Sequence, residues 1–359
     1  MSRYNVWLAA VMGPNCINAA AVTDLGLTPR EIYENRKNLK AFGVFSERQT
    51  ENARNISLND TEHIYEKHLE SGIESTSRWD MDYPARFMDM ACRPLVLFYK
   101  GDLSLLDARY TVGIVGSRQC TGEGEKACGL IAEDIAGNGG VVISGLAQGI
   151  DTIAHRNAVK AGGRTVAFTG VPLDEYFPKV NESFQKELEK DHLVVSEYVS
   201  GYKYQSANFI YRNRLIAMAS DGLCVIQAKK KSGSLATVNR AIEYDKPVFT
   251  VPGSIFSPAY EGSNRLLAEG LAHAVTDGVQ IMRHLGAVTE EKKKKTKAAV
   301  KVSGTAQTVL KALEGAMFVP RIKKVRPATG CGKGGADRAG SGGSCRKNSN
   351  RRIYTPQLK

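Results

Sequence analysis

Residues 141–155 read VVISGLAQGIDTIAH. A short, mostly β-branched run, Val141-Val142-Ile143-Ser144, meets Gly145. Gly149 and Asp151 follow, and a helical pattern begins. A strand that passes through a glycine turn into a helix start is a phosphate-binding arrangement, because free backbone N–H groups and the helix dipole face an anion there. A dinucleotide, a small nucleotide substrate and the backbone of a nucleic acid would each suit it.

The same alternation extends outward on both sides. From Tyr110 onward, apolar runs precede helical ones: TVGIV before GEKACGLIAEDIAG, TVAFT before ESFQKELEK, LVVSEY before FIYRNRLIAMAS, LCVIQA before SLATVNRAIEYD, PVFTV before NRLLAEG, and finally HAV. Near-continuous Val/Ile strands separated by helices indicate a parallel sheet covered on both faces. The expected fold class is α/β, an extended Rossmann-like doubly wound parallel sheet preceded by a small helical domain. Residues 1–72 supply that domain, with LTPREIYENRK opening on a capping-box spacing and proline at the first helical position, and with Asp60 expected to cap TEHIYEKHLES. Residues 73–109 read as a connector with strand-like runs in WDMDYPARF and PLVLFYKGD. Residues 110–286 form the Rossmann-like domain. Residues 287–359 read as a basic linker, a short helical candidate TAQTVLKALEGAM, and a Gly/Ser-rich tail whose composition cannot bury a core.

Composition removes several function classes. No apolar run approaches the ~18–20 residues that span a bilayer, so no membrane association is expected and the cytoplasm is the expected compartment. Seven scattered cysteines without a CxxC pair, and six histidines without a metal-binding spacing, give no metal site and no disulfide framework. Net charge is +12, but 18 basic and 4 acidic residues lie from Ala287 onward, leaving 31 basic and 33 acidic residues before it. Nucleic-acid binding by the body of the chain must therefore rest on local basic clusters.

Doubly wound sheets bind ligands outside the carboxyl ends of their strands, so the residues after each strand matter most. These are Gly116-Ser117-Arg118; Ser144-Gly145 and Gly149-Ile150-Asp151; Ser196-Glu197, with Arg212-Asn213-Arg214 in the next helix; Lys229-Lys230-Lys231-Ser232-Gly233-Ser234, with Thr237 one turn on; and Pro252-Gly253-Ser254. Glycine turns and helix starts hold anions, and arginine adds bidentate contacts. The dinucleotide fingerprint is a poor fit. Gly122-Glu123-Gly124-Glu125-Lys126-Ala127 matches its letters but starts seven residues after Val115 and carries carboxylates where a pyrophosphate would lie. No cofactor is expected. The GxxxxGK[ST] phosphate loop is absent. A nucleotide-hydrolysing relative of this fold would carry a glutamate three residues past Thr237, where Arg240 stands; Glu243 lies six past.

The series GIVGSR, SGLAQGID-x-x-AH, YFP-x-x-N, SEY, F-x-x-RNR-x-I, SGS-x-x-T and VPG resembles the DprA/Smf DNA-processing family, from about Asp82-Tyr83-Pro84 to about Val275. The resemblance implies a protein that binds and protects single-stranded DNA, forms a homodimer and loads the RecA recombinase during natural transformation, and it does not imply an enzyme. The chain departs from the family pattern at Gln227, where a glutamate is usual, at Pro172, where a glycine is usual, and after TAQTVLKALEGAM, where a winged helix does not follow. A shifted reading frame or a degenerate tail would each explain the last difference.

The candidate DNA contacts are Gly116, Ser117, Arg118, Ser144, Gly145, Gly149, Lys203, Phe209, Arg212, Asn213, Arg214, Lys229, Lys230, Lys231, Ser232, Gly233, Ser234 and Thr237. Asp151 is read as a helix cap or a partner for a pocket arginine, and His155 as a packed helix histidine. Arg212 and Arg214, two apart on one helix, cannot share a face; one is expected to meet DNA and the other to pair internally, with Glu197 as its partner. Phe209 is either core or a stacking platform for a base. The rival reading is a nucleotide-binding or nucleotide-hydrolysing enzyme using the same pocket.

Overall fold

Strands without a polar face pair in the centre of a sheet, where helices cover both sides. The computed structural model describes residues 2–14, 17–88, 90–203 and 205–288. Its strands are β1 (Glu74–Ser77), β2 (Val96–Gly101), β3 (Thr111–Val115), β4 (Val141–Ser144), β5 (Thr165–Phe168), β6 (Leu193–Ser196), β7 (Gly222–Val225), β8 (Val248–Thr250) and β9 (His273–Ala274). They form one sheet in the order β1-β2-β6-β5-β4-β3-β7-β8-β9. Strands β3 to β9 pair in parallel, with Val112 opposite Val142 on one side and Gly222 on the other. β2 runs antiparallel to β6 and β1 antiparallel to β2.

Helices α1 (Arg3–Met12), α2 (Ala19–Asp24), α3 (Pro29–Glu34), α4 (Glu47–Asn55) and α5 (Leu58–Glu70) precede the sheet. The connections within it carry α6 (Gly122–Gly137), α7 (Ile150–Lys160), α8 (Glu182–Asp191), α9 (Ser206–Ala219), α10 (Ser234–Glu243) and α11 (Glu261–Ala268), and α12 (Gly278–His284) follows the last strand. Alternate strand residues point to opposite faces. Val112, Ile114 and Val142 meet Ile131 and Ile135 of α6, Ala154 of α7 and Met282 of α12. Val115, Ile143, Val166 and Phe168 meet Leu215 and Met218 of α9, Val238 of α10 and Leu266 of α11. The α/β doubly wound fold is as the alternation implied.

The first five helices share a core with the sheet. Trp7, Leu8, Ile32 and Leu39 lie in one apolar cluster with Val96, Phe98, Ala167 and Val194, and Trp7 Nε1 donates to the Ile56 carbonyl at 2.8 Å. The capping box at Thr28 and Glu31 forms as read, with Pro29 opening α3. Two local readings need correction. Ser57 caps α5, and Asp60 is its reciprocal capping-box partner, accepting from the Ser57 N–H at 2.7 Å. WDMDYPARF holds no strand. Asp80 accepts from the Ser77 N–H at 2.8 Å and Asp82 from the Thr76 hydroxyl at 2.7 Å. These bonds fold the chain into a turn, and a 3-10 turn at Ala85–Phe87 follows Pro84. The strand comes earlier, as β1.

No helix among the described residues is long and apolar enough to cross a membrane. The candidate helix TAQTVLKALEGAM and the tail lie outside the described residues, as does the basic linker from 289 onward.

The topology creates one particular crevice. The chain lays β3, β4, β5 and β6 side by side in one direction, then returns to place β7 on the other flank of β3. The loops that leave β3 and β7 therefore diverge, and a ligand site is expected between them, at their carboxyl ends.

Candidate functional site

The loop after β3, Gly116-Ser117-Arg118, lies directly on the loop that follows β4. A Cβ on Gly116 would come within 2.7 Å of the Ile150 side chain, and one on Gly149 within 2.4 Å of the Ser117 carbonyl. Gly149 has φ +85°, a left-handed conformation that favours glycine. The Ile150 N–H then donates to the Ser117 carbonyl at 3.2 Å. Lack of a side chain at both positions lets two backbones close on each other and leaves Arg118 exposed at the rim.

The GLAQG loop is fixed from beneath. Leu146, also left-handed at φ 54°, is buried. Asn181 Nδ2 donates to the Leu146 carbonyl at 2.9 Å and to the Thr152 hydroxyl at 2.8 Å, and Thr152 Oγ1 donates to the Ala147 carbonyl at 2.6 Å. Asn181 is the last residue of YFP-x-x-N, so this motif clamps the preceding one. Ser144 is fully buried, and its hydroxyl donates to the Ile114 carbonyl at 2.6 Å, which ties β4 to β3 and keeps it from a ligand.

The two arginines of α9 are both buried and take different partners. Arg214 is buried and donates from Nη2 to both carboxylate oxygens of Glu197, at 2.6 and 2.7 Å. Arg212 is also buried, yet one edge lines the cavity. Its Nη1 donates to the Gly145 carbonyl at 2.6 Å and to the Phe168 carbonyl. The Asp151 carboxylate accepts from the Gly145 and Ala147 N–H groups beside it. Burial pushes its carboxyl pKa up, against the opposing pull of Arg212, these N–H groups and Arg118. Burial likewise lowers the Arg212 pKa to about 10, with Asp151 holding it up. Asp151 thus sits near Arg212, in the first turn of a helix whose cap is Gly149, with its carboxylate facing backbone N–H groups. His155, on the same helix, is fully buried and bonds Thr165 Oγ1 through Nδ1 at 2.6 Å, a packed helix histidine.

A cavity of about 640 Å³ opens at the switch point. Gly116, Ser117 and Arg118 form one wall, and Ala147, Gln148 and Asp151 another. Phe209, Arg212 and Asn213 of α9 line a third side, and the loop after β7 closes it with Lys229, Lys231, Ser232, Gly233, Ser234 and Thr237. Gly145 lines an adjoining recess of about 120 Å³ with Phe177, Pro178 and Phe209. The Phe177 and Phe209 rings stand 4.8 Å apart, and the Arg118 guanidinium carbon lies 5.9 Å from the Phe209 ring centre.

Some sequence candidates stand apart. Lys230 Nζ lies 3.5 Å from Glu261 and does not line the cavity. Lys203 is exposed ahead of α9, outside the lining. Gly149 acts beneath the loop. Gln148, Phe177 and the anchoring Asn181 were not among the candidates, although LAQ between two glycines and YFP-x-x-N signalled them. Gln227 accepts from the Thr121 N–H and donates to the Thr121 hydroxyl, both at 2.9 Å. It anchors the start of α6 from the loop after β7. Among the described residues no cluster of three or more His, Cys, Asp or Glu could hold a metal ion.

The loops that build this cavity fall within a stretch shared with known proteins. Residues 74–286 match the family model described as DNA recombination-mediator protein A. The chain belongs to this family. DNA processing protein DprA of Streptococcus pneumoniae is 41% identical over 208 residues, covering 58% of this chain and 73% of that one. The X-ray structure of that DprA superposes with a TM-score of 0.68 at 33% identity, covering 79% of this chain and 98% of the other. DNA processing protein A of Helicobacter pylori, solved for its single-stranded DNA binding mode, superposes with a TM-score of 0.55 at 30% identity, over 59% and 95% of the two chains. Membership is as the ordered motif series implied.

Proposed function

We propose that this chain binds single-stranded DNA across the crevice at the carboxyl ends of β3, β4 and β7. In this reading it protects the bound strand and delivers it to the RecA recombinase during natural transformation, working as a homodimer in the cytoplasm. One observation carries the DNA reading: Arg118, Lys229 and Lys231 come from two distant loops to one cavity with glycine-walled floors. Sequence-independent binding of a strand needs such cations for phosphates and an aromatic face for bases. Phe209, beside Phe177 and Arg118, supplies the face. The single-stranded DNA mode of the H. pylori relative supports the assignment. RecA loading and the homodimer rest on family membership.

The rival, nucleotide hydrolysis, needs a carboxylate that can reach a water or an ester. Arg240 pairs with Glu243 at 2.6 Å on an exposed face of α10, and neither lines the cavity. Asp151 does line it, but its carboxylate accepts from two backbone N–H groups. These contacts favour binding without turnover.

Fluorescence anisotropy with labelled oligo-dT across a salt series tests the reading. Wild type should bind, and Arg118→Ala should lose about tenfold in affinity with a shallower salt slope. Equal binding by both proteins would mean that the cavity is not the DNA site. Release of free base from a nucleotide would establish the rival.

A further inference from the structure

The start of α10 differs from the rest of the cavity wall. Ser232, Gly233 and Ser234 form its lip, and the Ser232 and Ser234 hydroxyls lie 2.7 Å apart. Gly233 caps the helix without a side-chain cap bond, and its first turn carries no acidic residue. The positive end of the helix dipole is therefore uncompensated. One turn in, Thr237 is 1% exposed, and its hydroxyl has no hydrogen-bond partner among the described residues although it lines the cavity. A buried hydroxyl without a partner is costly and calls for an explanation. Lys229 and Lys231 line the cavity beside it, and no ion pair to a described residue engages either, whereas Lys230 is turned toward Glu261.

We propose that this end of the cavity is a subsite for a phosphomonoester, the terminal phosphate of a DNA strand, with Thr237 Oγ1 as its floor donor and Lys229 and Lys231 as its counter-charges. The inference rests on the DNA-binding proposal and refines it. An internal phosphodiester has chain on both sides and offers two unesterified oxygens, so both flanking nucleotides would have to enter and leave at the depth of Thr237. A terminal phosphate has chain on one side only and can turn three oxygens toward the floor. It also carries close to two charges at neutral pH, which suits two lysines and an unopposed helix N-terminus. A free mononucleotide offers the same group, so the experiment separates the two sources.

The test is binding of oligo-dT with a 5′-phosphate, a 3′-phosphate or no terminal phosphate, for wild type and Thr237→Val, with dTMP as competitor. A charge-assisted hydrogen bond corresponds to roughly a tenfold change in affinity. Wild type should therefore favour one phosphorylated end by about that factor, and Thr237→Val should lose the preference, read as the ratio of its affinities for the phosphorylated and unphosphorylated strands. Because Thr237 Oγ1 makes no bond to a described residue, the variant should unfold at the same or a higher temperature; Lys231→Gln provides a second variant, expected to weaken the same preference. Equal binding of all three strands by wild type overturns the subsite while leaving the DNA reading intact. Binding of dTMP, sensitive to Thr237→Val, by a protein that binds no oligonucleotide overturns the DNA reading and leaves the subsite as a mononucleotide site.

Discussion

Arg214 grips Glu197 through a single guanidinium nitrogen, with Nη2 2.6 and 2.7 Å from the two carboxylate oxygens and both side chains almost fully buried. The pair joins α9 to the chain just after β6, so it fixes the angle at which α9 presents Phe209, Arg212 and Asn213 to the cavity. Removing one partner leaves a buried charge without its counter-ion, and Arg214→Ala should cost about 3–5 kcal/mol. Replacing both residues by methionine should recover much of that loss, since an apolar pair needs no compensation. Urea denaturation of the two single variants and the double variant checks this. A loss near zero for Arg214→Ala would mean that the pair does not hold the helix.

Gly145 is a position where one added methyl group should disturb the floor of the cavity. A Cβ there would stand 2.6 Å from Arg212 Nη2 and 2.7 Å from Asp151 Oδ2. Neither group can retreat easily, because Arg212 is bonded to the Gly145 and Phe168 carbonyls and Asp151 to two backbone N–H groups. Gly145→Ala should destabilise the fold by about 1–3 kcal/mol, the usual cost of overpacking. It should also weaken oligo-dT binding more than that stability loss explains, because the floor of the cavity moves. Comparing anisotropy titrations with the thermal midpoint separates the two effects. Unchanged affinity would show that the Arg212–Asp151 floor has no part in binding.

The sheet and the site differed in how far the residues alone revealed them. β3 to β8 are short Val/Ile-rich runs buried on both faces, so composition revealed them directly. β1 was invisible because its sequence, Glu-Ser-Thr-Ser, carries no apolar signal although three of its four residues are buried. Its burial is satisfied by Asp80, Asp82 and Asn5, contacts that no periodicity records. The glycine turns identified the ligand edge, since a strand that ends in glycine before a helix has few other uses. The individual roles depended on partners distant in sequence. Ser144 looked like a ligand group until the Ile114 carbonyl claimed it. One of the two arginines of RNR is expected to meet DNA, yet the structure buries both, and Arg212 braces a loop 67 residues earlier.

The lysine run gives a contrast between neighbours. Lys229 and Lys231 line the cavity, while Lys230 faces Glu261 at 3.5 Å. Each phosphate neutralised on a single strand contributes roughly 0.7 to the slope of log affinity against log salt. Lys229→Ala and Lys231→Ala should each reduce the slope by about that amount, and Lys230→Ala should leave it close to the wild-type value. The same anisotropy series in three salt concentrations reads all three variants. An equal loss at all three positions would mean that the loop acts as a diffuse charge and not as part of a shaped wall.

His155 sets an acid limit on the fold. It is fully buried in α7, and burial lowers its imidazole pKa to about 3, with His192 and Arg212 adding to the effect. In the unfolded chain the imidazole protonates near its ordinary value of about 6.5. The folded state therefore binds fewer protons between these values, and stability is full above about pH 6.5 and falls as the pH drops through the window toward 3. From pH 6.5 to pH 5 the loss attributable to this one group should be about 2 kcal/mol. His155→Gln should be less stable at pH 7.5, because it disturbs the bond to Thr165 Oγ1, but its stability should decline less steeply over the same interval. Urea midpoints at pH 7.5, 6 and 5 for both proteins provide the comparison. Parallel decline in the two would assign the acid sensitivity to other groups, of which His68, buried and lowered to about 4 mainly by desolvation, is the next to replace.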